Sequence, residues 1–126
     1  MVSCLLIEKD EAQRQQLEAM LETLGMDCTS VARADEGLVV LQELRPDVVV
    51  MEATEAQSVR PFLRLVRHAE PARRAPVLLI YSRQASMEMI SESILSGVAE
   101  FLVLPFDREL LSFKLKQQGV LPPKAA

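Results

Sequence analysis

The stretch Pro46-Asp47-Val48-Val49-Val50-Met51-Glu52 decides how the rest of the chain is read. From Asp47 to Met51 it is of strand length and almost wholly apolar, the pattern of a strand covered on both faces. An acid, Glu52, closes it. Arg45-Pro46, just upstream, stops a helical pattern, because proline disfavours helical backbone at the residue before it.

Outward from this run, four more of the same kind appear: Val2–Ile7, Asp27–Val31, Val77–Tyr81 and Glu100–Leu104. Between them lie apolar residues at helical spacing. The first stripe is Leu17, Met20, Leu21 and Leu24, ended by Gly25 as a helix C-cap. The second is Leu38, Leu41 and Leu44; the third is Val59, Phe62, Leu63 and Val66. The fourth is Met87, Ile90 and Ile94, closed by Gly97. Leu110, Phe113 and Lys114 mark the last helix, which Gly119 and Pro122-Pro123 terminate.

Strand–helix alternation of this kind builds a parallel sheet with helices on both faces. The expected fold is therefore α/β and flavodoxin-like, a (βα)5 three-layer sandwich with its five strands in the order 2-1-3-4-5. Residues 1–119 make the domain, and residues 120–126 a C-terminal tail or the start of a linker.

Composition narrows the function classes. At 126 residues the chain fits one domain, with 49% hydrophobic and 25% charged residues, a globular balance. The net charge of -4 argues against a nucleic-acid surface of its own. The start, MVSCLLIEKD, lacks the basic region of a signal peptide, and no run reaches the length of a membrane span, so a cytoplasmic protein is expected. Cys4 and Cys28 sit in apolar runs and read as small buried hydrophobes rather than a disulfide or redox pair.

In an open parallel sheet, ligands bind beyond the carboxyl ends of the strands where the strand order reverses, here between strands one and three. Strand one runs into Glu8-Lys9-Asp10-Glu11 and strand three into Glu52. Oxygens gathered there suit a hard cation such as Mg²⁺, or are simply strand-end charges meeting water. No glycine-rich phosphate loop follows strand one. No Ser/His/Asp or Cys/His set is visible. His68, the only histidine, lies beside Arg67 and near Arg73 and Arg74, where a solvated basic turn accounts for it.

Three blocks carry a resemblance. Leu5-Leu6-Ile7-Glu8-Lys9-Asp10, with Arg14 and Leu17 following, is similar to the opening of response-regulator receiver domains, the CheY-like superfamily. Pro46 to Glu52 resembles the run ending on that family's phosphoacceptor aspartate. Gly97-Val98-Ala99-Glu100-Phe101-Leu102-Val103-Leu104-Pro105-Phe106-Asp107 resembles its fifth-strand signature, which normally reads Lys-Pro-Phe. The likeness spans about residues 3 to 117.

The resemblance implies an aspartate nucleophile, an acid-held Mg²⁺, a Ser/Thr hydroxyl and a lysine, the last neutralising charge in phosphoryl transfer. This sequence departs from that set. Glu52, one methylene longer, stands at the acceptor position; Lys9 replaces the second acid of the Glu8, Lys9, Asp10 pocket; Leu104 replaces the lysine. The hydroxyl position is Tyr81 when counted forward from Pro76 and Ser82 when counted back from Gly97, and Ser82 is favoured. A degenerate pseudo-receiver is expected, with no metal and Mg²⁺ binding weak or absent. Lys9 is expected to pair with Glu8, Asp10 or Glu52 where Mg²⁺ would sit, or else to extend into solvent. Glu52 reads as a disused or fixed position rather than a mimic of the phosphorylated state, because Leu104 cannot answer its charge.

By the same resemblance, Phe101 holds the switch-aromatic position and Leu104-Pro105 is a cis-proline candidate. The expected function is non-enzymatic signalling in a two-component phosphorelay, by contact with a partner signalling protein or with itself. The contact face would comprise the fourth helix, fifth strand and fifth helix, with Met87 and Met89 either exposed on it or part of the core. A C-terminal effector domain is possible; direct nucleic-acid and membrane binding are not expected. Phosphorylation by unorthodox chemistry, and a small flavodoxin-like enzyme or nucleotide binder, are the alternatives.

Overall fold

The apolar runs become the strands of one parallel sheet. The structure, a computed structural model, describes residues 2–53, 62, 64, 66, 76–84, 86–95, 97 and 100–121. Its strands are β1 Ser3–Ile7, β2 Asp27–Val31, β3 Val48–Glu52, β4 Val77–Ser82 and β5 Glu100–Val103. They are arranged β2-β1-β3-β4-β5, the flavodoxin-like order. Among the described residues the helices are α1 Glu11–Thr23, α2 Ala34–Leu44, α3 Met87–Leu95 and α4 Arg108–Gln117. Phe62, Arg64 and Val66 are also helical. Val59 and Leu63 of the third stripe, and His68, Arg67, Arg73 and Arg74, lie outside the described residues.

Alternation along the strands sorts side chains into two cores, one on each face of the sheet. On one face Cys4, Leu6, Val48, Val50, Leu79 and Tyr81 pack against Leu17 and Leu21 of α1 and Leu111 and Leu115 of α4. On the other, Leu5, Ile7, Val49, Met51, Leu78 and Ile80 pack against Leu41 of α2 and against Phe62 and Val66. Each fully buried leucine contributes about 2 kcal/mol of transfer free energy, so the doubly covered strands β1, β3 and β4 hold the fold together. Gly37 lets α2 approach closely: a Cβ there would lie 2.5 Å from Ile7 Cδ1.

Capping fixes the helix starts. Asp10 and Asp107 accept from the backbone N–H groups of Gln13 and Leu110, at 2.9 and 2.8 Å. Gly25, at φ 88°, takes the left-handed backbone that the end of α1 needs.

Two helical stripes face differently from the sequence expectation. In α3, Met87 and Ile94 are exposed, while Ser93 is buried. In α4 the inward positions are Leu111 and Leu115, and Leu110 and Phe113 point outward. Helical spacing identifies residues sharing a face. Which of two apolar faces turns inward is decided by the connection to the preceding strand.

Candidate functional site

Pairing in the sheet brings the acidic residues together at its carboxyl edge. Ile7 is the register partner of Met51, and Glu52 that of Tyr81. Glu8, one residue beyond β1, therefore lines up with Glu52 and Tyr81 in a row crossing β1, β3 and β4 on the α1–α4 face. A cleft of about 950 Å³ opens there, lined by Glu8, Lys9, Asp10, Glu52, Ser82 and Arg83, with the β4–α3 loop as its wall.

Glu8 is the anchor. Its side chain is fully buried, and both carboxylate oxygens accept hydrogen bonds. The Tyr81 hydroxyl donates to Oε1 at 2.9 Å, and the Asp10 backbone N–H donates to Oε2 at 2.9 Å. From α1, Arg14 donates to the Glu8 carbonyl at 2.9 Å, holding the start of the loop. Tyr81 thus reaches across β3, and burial, the Glu8 charge and this hydrogen bond push its phenol far above the usual range. Its ring meets Phe106 edge-on, with centroids 6.2 Å apart.

The cation among these acids is Arg83. Its Nε lies 3.3 Å from Glu52 Oε2, and its Nη2 lies 3.6 Å from Asp10 Oδ2 and 3.9 Å from Glu8 Oε1. Lys9, expected in that role, is exposed and makes no ion pair among the described residues. The reason is geometric: Lys9 is exposed at the rim of the cleft, whereas Arg83 leaves the end of β4 beside Glu52. The planar guanidinium also suits several carboxylates at once. Arg83 answers the Glu52 charge, a role for which the sequence reading considered only positions 9 and 104. The signal available was its place: a cation one residue beyond β4, at the edge where the acids gather.

Glu52 is largely buried, with its side chain 13% exposed. Its carboxyl is held above the usual range by burial first and by the Glu8 charge second, against the opposing pull of Arg83 and Lys9. The two candidate hydroxyls play separate parts. Ser82 lines the cleft, yet its Oγ is tied into its own loop, donating to the Gln84 carbonyl at 2.9 Å and accepting from the Gln84 N–H at 3.2 Å. Tyr81 lies on the opposite face of β4 and braces Glu8. Leu104 is half-buried against the α1–α4 core, and the Leu104–Pro105 bond is cis. Phe101 is half-buried against the other core. Met89 also lines the cleft, while Met87 is 78% exposed.

The residues that would hold Mg²⁺ are, as they stand, mostly engaged within the protein. The metal needs several free oxygens in near-octahedral array. Here both oxygens of Glu8 are engaged, Asp10 caps α1, and Arg83 lies among the three carboxylates. No group of three or more acidic, His or Cys side chains placed to hold a metal occurs among the described residues.

A five-stranded parallel sheet in this order, with acids at the carboxyl ends of β1 and β3, matches the architecture of the receiver domains found in two-component response regulators. The chain belongs to the family described as flagellar regulatory protein FleQ, whose profile matches residues 3–117. It is similar to the transcriptional regulatory protein AfsQ1 of Streptomyces coelicolor, 28% identical over 116 residues, covering 92% of this chain and 50% of that protein. The phosphate regulon transcriptional regulatory protein PhoB of Rhizobium meliloti is 25% identical over 111 residues, covering 87% and 48%. The chain thus spans about half the length of these two curated relatives.

Among solved structures, a response regulator receiver domain protein from Clostridium thermocellum superposes with a TM-score of 0.81, at 20% identity over 93% of each chain. The receiver domain of a sensor histidine kinase from Pseudomonas aeruginosa, with magnesium coordinated in its active-site cleft, superposes at 0.78, with 25% identity over 94% of this chain and 98% of that one. Among the described residues, no helix is long and apolar enough to cross a membrane.

Proposed function

We propose that this receiver domain signals through protein contact, with no acyl phosphate formed at Glu52 and with Mg²⁺ bound weakly or not at all. The observation that carries this reading is Arg83 set among Glu8, Asp10 and Glu52, the place a phosphoryl-transfer metal would need. Leu104 removes the second cation of such a site, and Glu52 is misplaced by one methylene for in-line attack. The domain is then not an enzyme, and its output lies on its surface.

The contact face in this reading runs over α3, β5 and α4. Met87, Ile94 and Leu95 on α3, Val103 on β5, and Leu110 and Phe113 on α4 are all exposed there. Exposed apolar side chains on these three elements suit a partner signalling protein or a second copy of the domain. Relatives named as transcriptional regulators, about twice as long, support a role in regulating or dimerising an attached effector domain. The family description makes flagellar control the pathway to test first, in the cytoplasm and with no direct nucleic-acid or membrane contact by this domain.

The test is incubation with acetyl phosphate, and separately with beryllofluoride, in millimolar Mg²⁺. The expected result is an unchanged intact mass and an unchanged oligomer size on light scattering. A phosphoryl adduct on Glu52, or a beryllofluoride-driven change in size, would overturn the reading.

A further inference from the structure

Parallel register places the chain's two cysteines side by side: Cys4 on β1 and Cys28 on β2 are direct Cα partners. Partners in register project from the same face of a sheet, and neighbouring strands lie about 4.8 Å apart. That spacing falls inside the Cα window of about 4.4–6.8 Å that disulfides occupy. Both thiols are free. We propose that Cys4 and Cys28 form a reversible oxidant-sensing pair that closes to an intramolecular disulfide with hydrogen peroxide. The pair stands apart from the cleft, and the proposal does not depend on how the domain signals.

The two thiols differ in environment, which orders the chemistry. Cys4 is 2% exposed in the α1–α4 core, whereas Cys28 lies half-buried on the edge strand. A hydrogen bond with Cys28 first, burial second and charge on Cys28 third keep the Cys4 proton on well above the usual thiol range. Cys28 is therefore the sulfur that meets oxidant. Its thiolate attacks peroxide: the S–O bond forms, the O–O bond breaks, and the departing hydroxide takes a proton to become water. The Cys4 sulfur then attacks Cys28 sulfenic acid. The S–S bond forms, the S–O bond breaks, and the hydroxide leaves with the Cys4 proton as a second water. Two electrons pass from the thiols to one peroxide.

Reversibility follows from the sheet. A disulfide holds its Cβ atoms about 3.8 Å apart, whereas the side chains of register partners stand parallel, so the bridge must tilt the two Cα–Cβ bonds toward each other. A bridge under such tension is more reducible than a relaxed structural one, which suits a transient sensor.

The experiment treats the native chain with one equivalent of hydrogen peroxide and follows intact mass, with peptide mapping under acid. The expected product is monomeric, lighter by about 2 Da, cross-linked Cys4 to Cys28, and restored by dithiothreitol. In Cys4→Ser, shown folded by circular dichroism, Cys28 should accumulate as a sulfenic acid trapped by dimedone. Wild-type protein that keeps both thiols titratable, or that stops at an oxidised but unbridged Cys28, overturns the proposal without reference to any variant.

Discussion

The Tyr81 hydroxyl donates to Oε1 of Glu8 at 2.9 Å, spanning β3 to satisfy a carboxylate with no exposed side-chain surface. Removing that donor leaves a buried charged oxygen short of a partner. Tyr81→Phe should therefore lower unfolding free energy by about 2 kcal/mol at neutral pH, with the urea m-value unchanged. Because Phe keeps the ring against Phe106, a loss below a few tenths of this size would mean that the hydroxyl is dispensable. Tyr81 is also the chain's only tyrosine, so its ultraviolet phenolate signal is unambiguous. With its phenol pushed far up, that signal should appear in alkali only together with cooperative unfolding.

Arg83 separates three carboxylates, and its removal exposes them to one another. Arg83→Gln should cost about 1 kcal/mol near neutral pH, a modest figure because the guanidinium is half exposed and partly screened. The deficit should shrink as pH falls, since protonating Glu52 relieves the repulsion that the arginine no longer offsets. Urea midpoints of variant and parent at about pH 5 and about pH 7.5 give the comparison. Equal deficits at both would show that the ion pairs contribute nothing through charge.

Glu52 gives a prediction of opposite sign. An acid whose carboxyl is raised in the fold above 4.5 binds its proton more readily folded than unfolded. Stability therefore falls as pH rises through the interval above that value and remains lowered at neutral pH. Glu52→Gln should raise the melting temperature near neutrality, and the gain should vanish below the ordinary glutamate range, where the parent carboxyl is neutral as well. A variant less stable than the parent at neutral pH would show that pairing with Arg83 outweighs desolvation.

The sheet was legible because Val48 to Met51 and Leu5 to Ile7 carry no polar side chain, a pattern typical of strands covered on both faces. The acids at positions 8, 10 and 52 were legible for the same reason, each standing where an apolar run meets the sheet edge. Arg83 was not, since its role comes from the direction in which the chain leaves β4, and no spacing rule encodes that. The Cys4–Cys28 pairing needed the relative register of two strands, which runs of similar length leave open. The outward turn of Met87, Ile94 and Phe113 was hidden because α3 and α4 carry apolar residues on more than one face.

Gly37 tests how closely α2 sits on β1. A methyl added there would gain about 1 kcal/mol of helix propensity but would meet Ile7 Cδ1 at 2.5 Å and Cγ1 at 3.1 Å. Ile7 is 1% exposed and cannot swing away, so overpacking at about 1–3 kcal/mol should outweigh the propensity gain. Gly37→Ala alone is thus expected to destabilise. Ile7→Val removes Cδ1 and opens the space, so in that background the same substitution should lose at least half its penalty. A double-mutant cycle by urea unfolding measures the coupling, and strictly additive effects would show that the helix adjusts without touching Ile7.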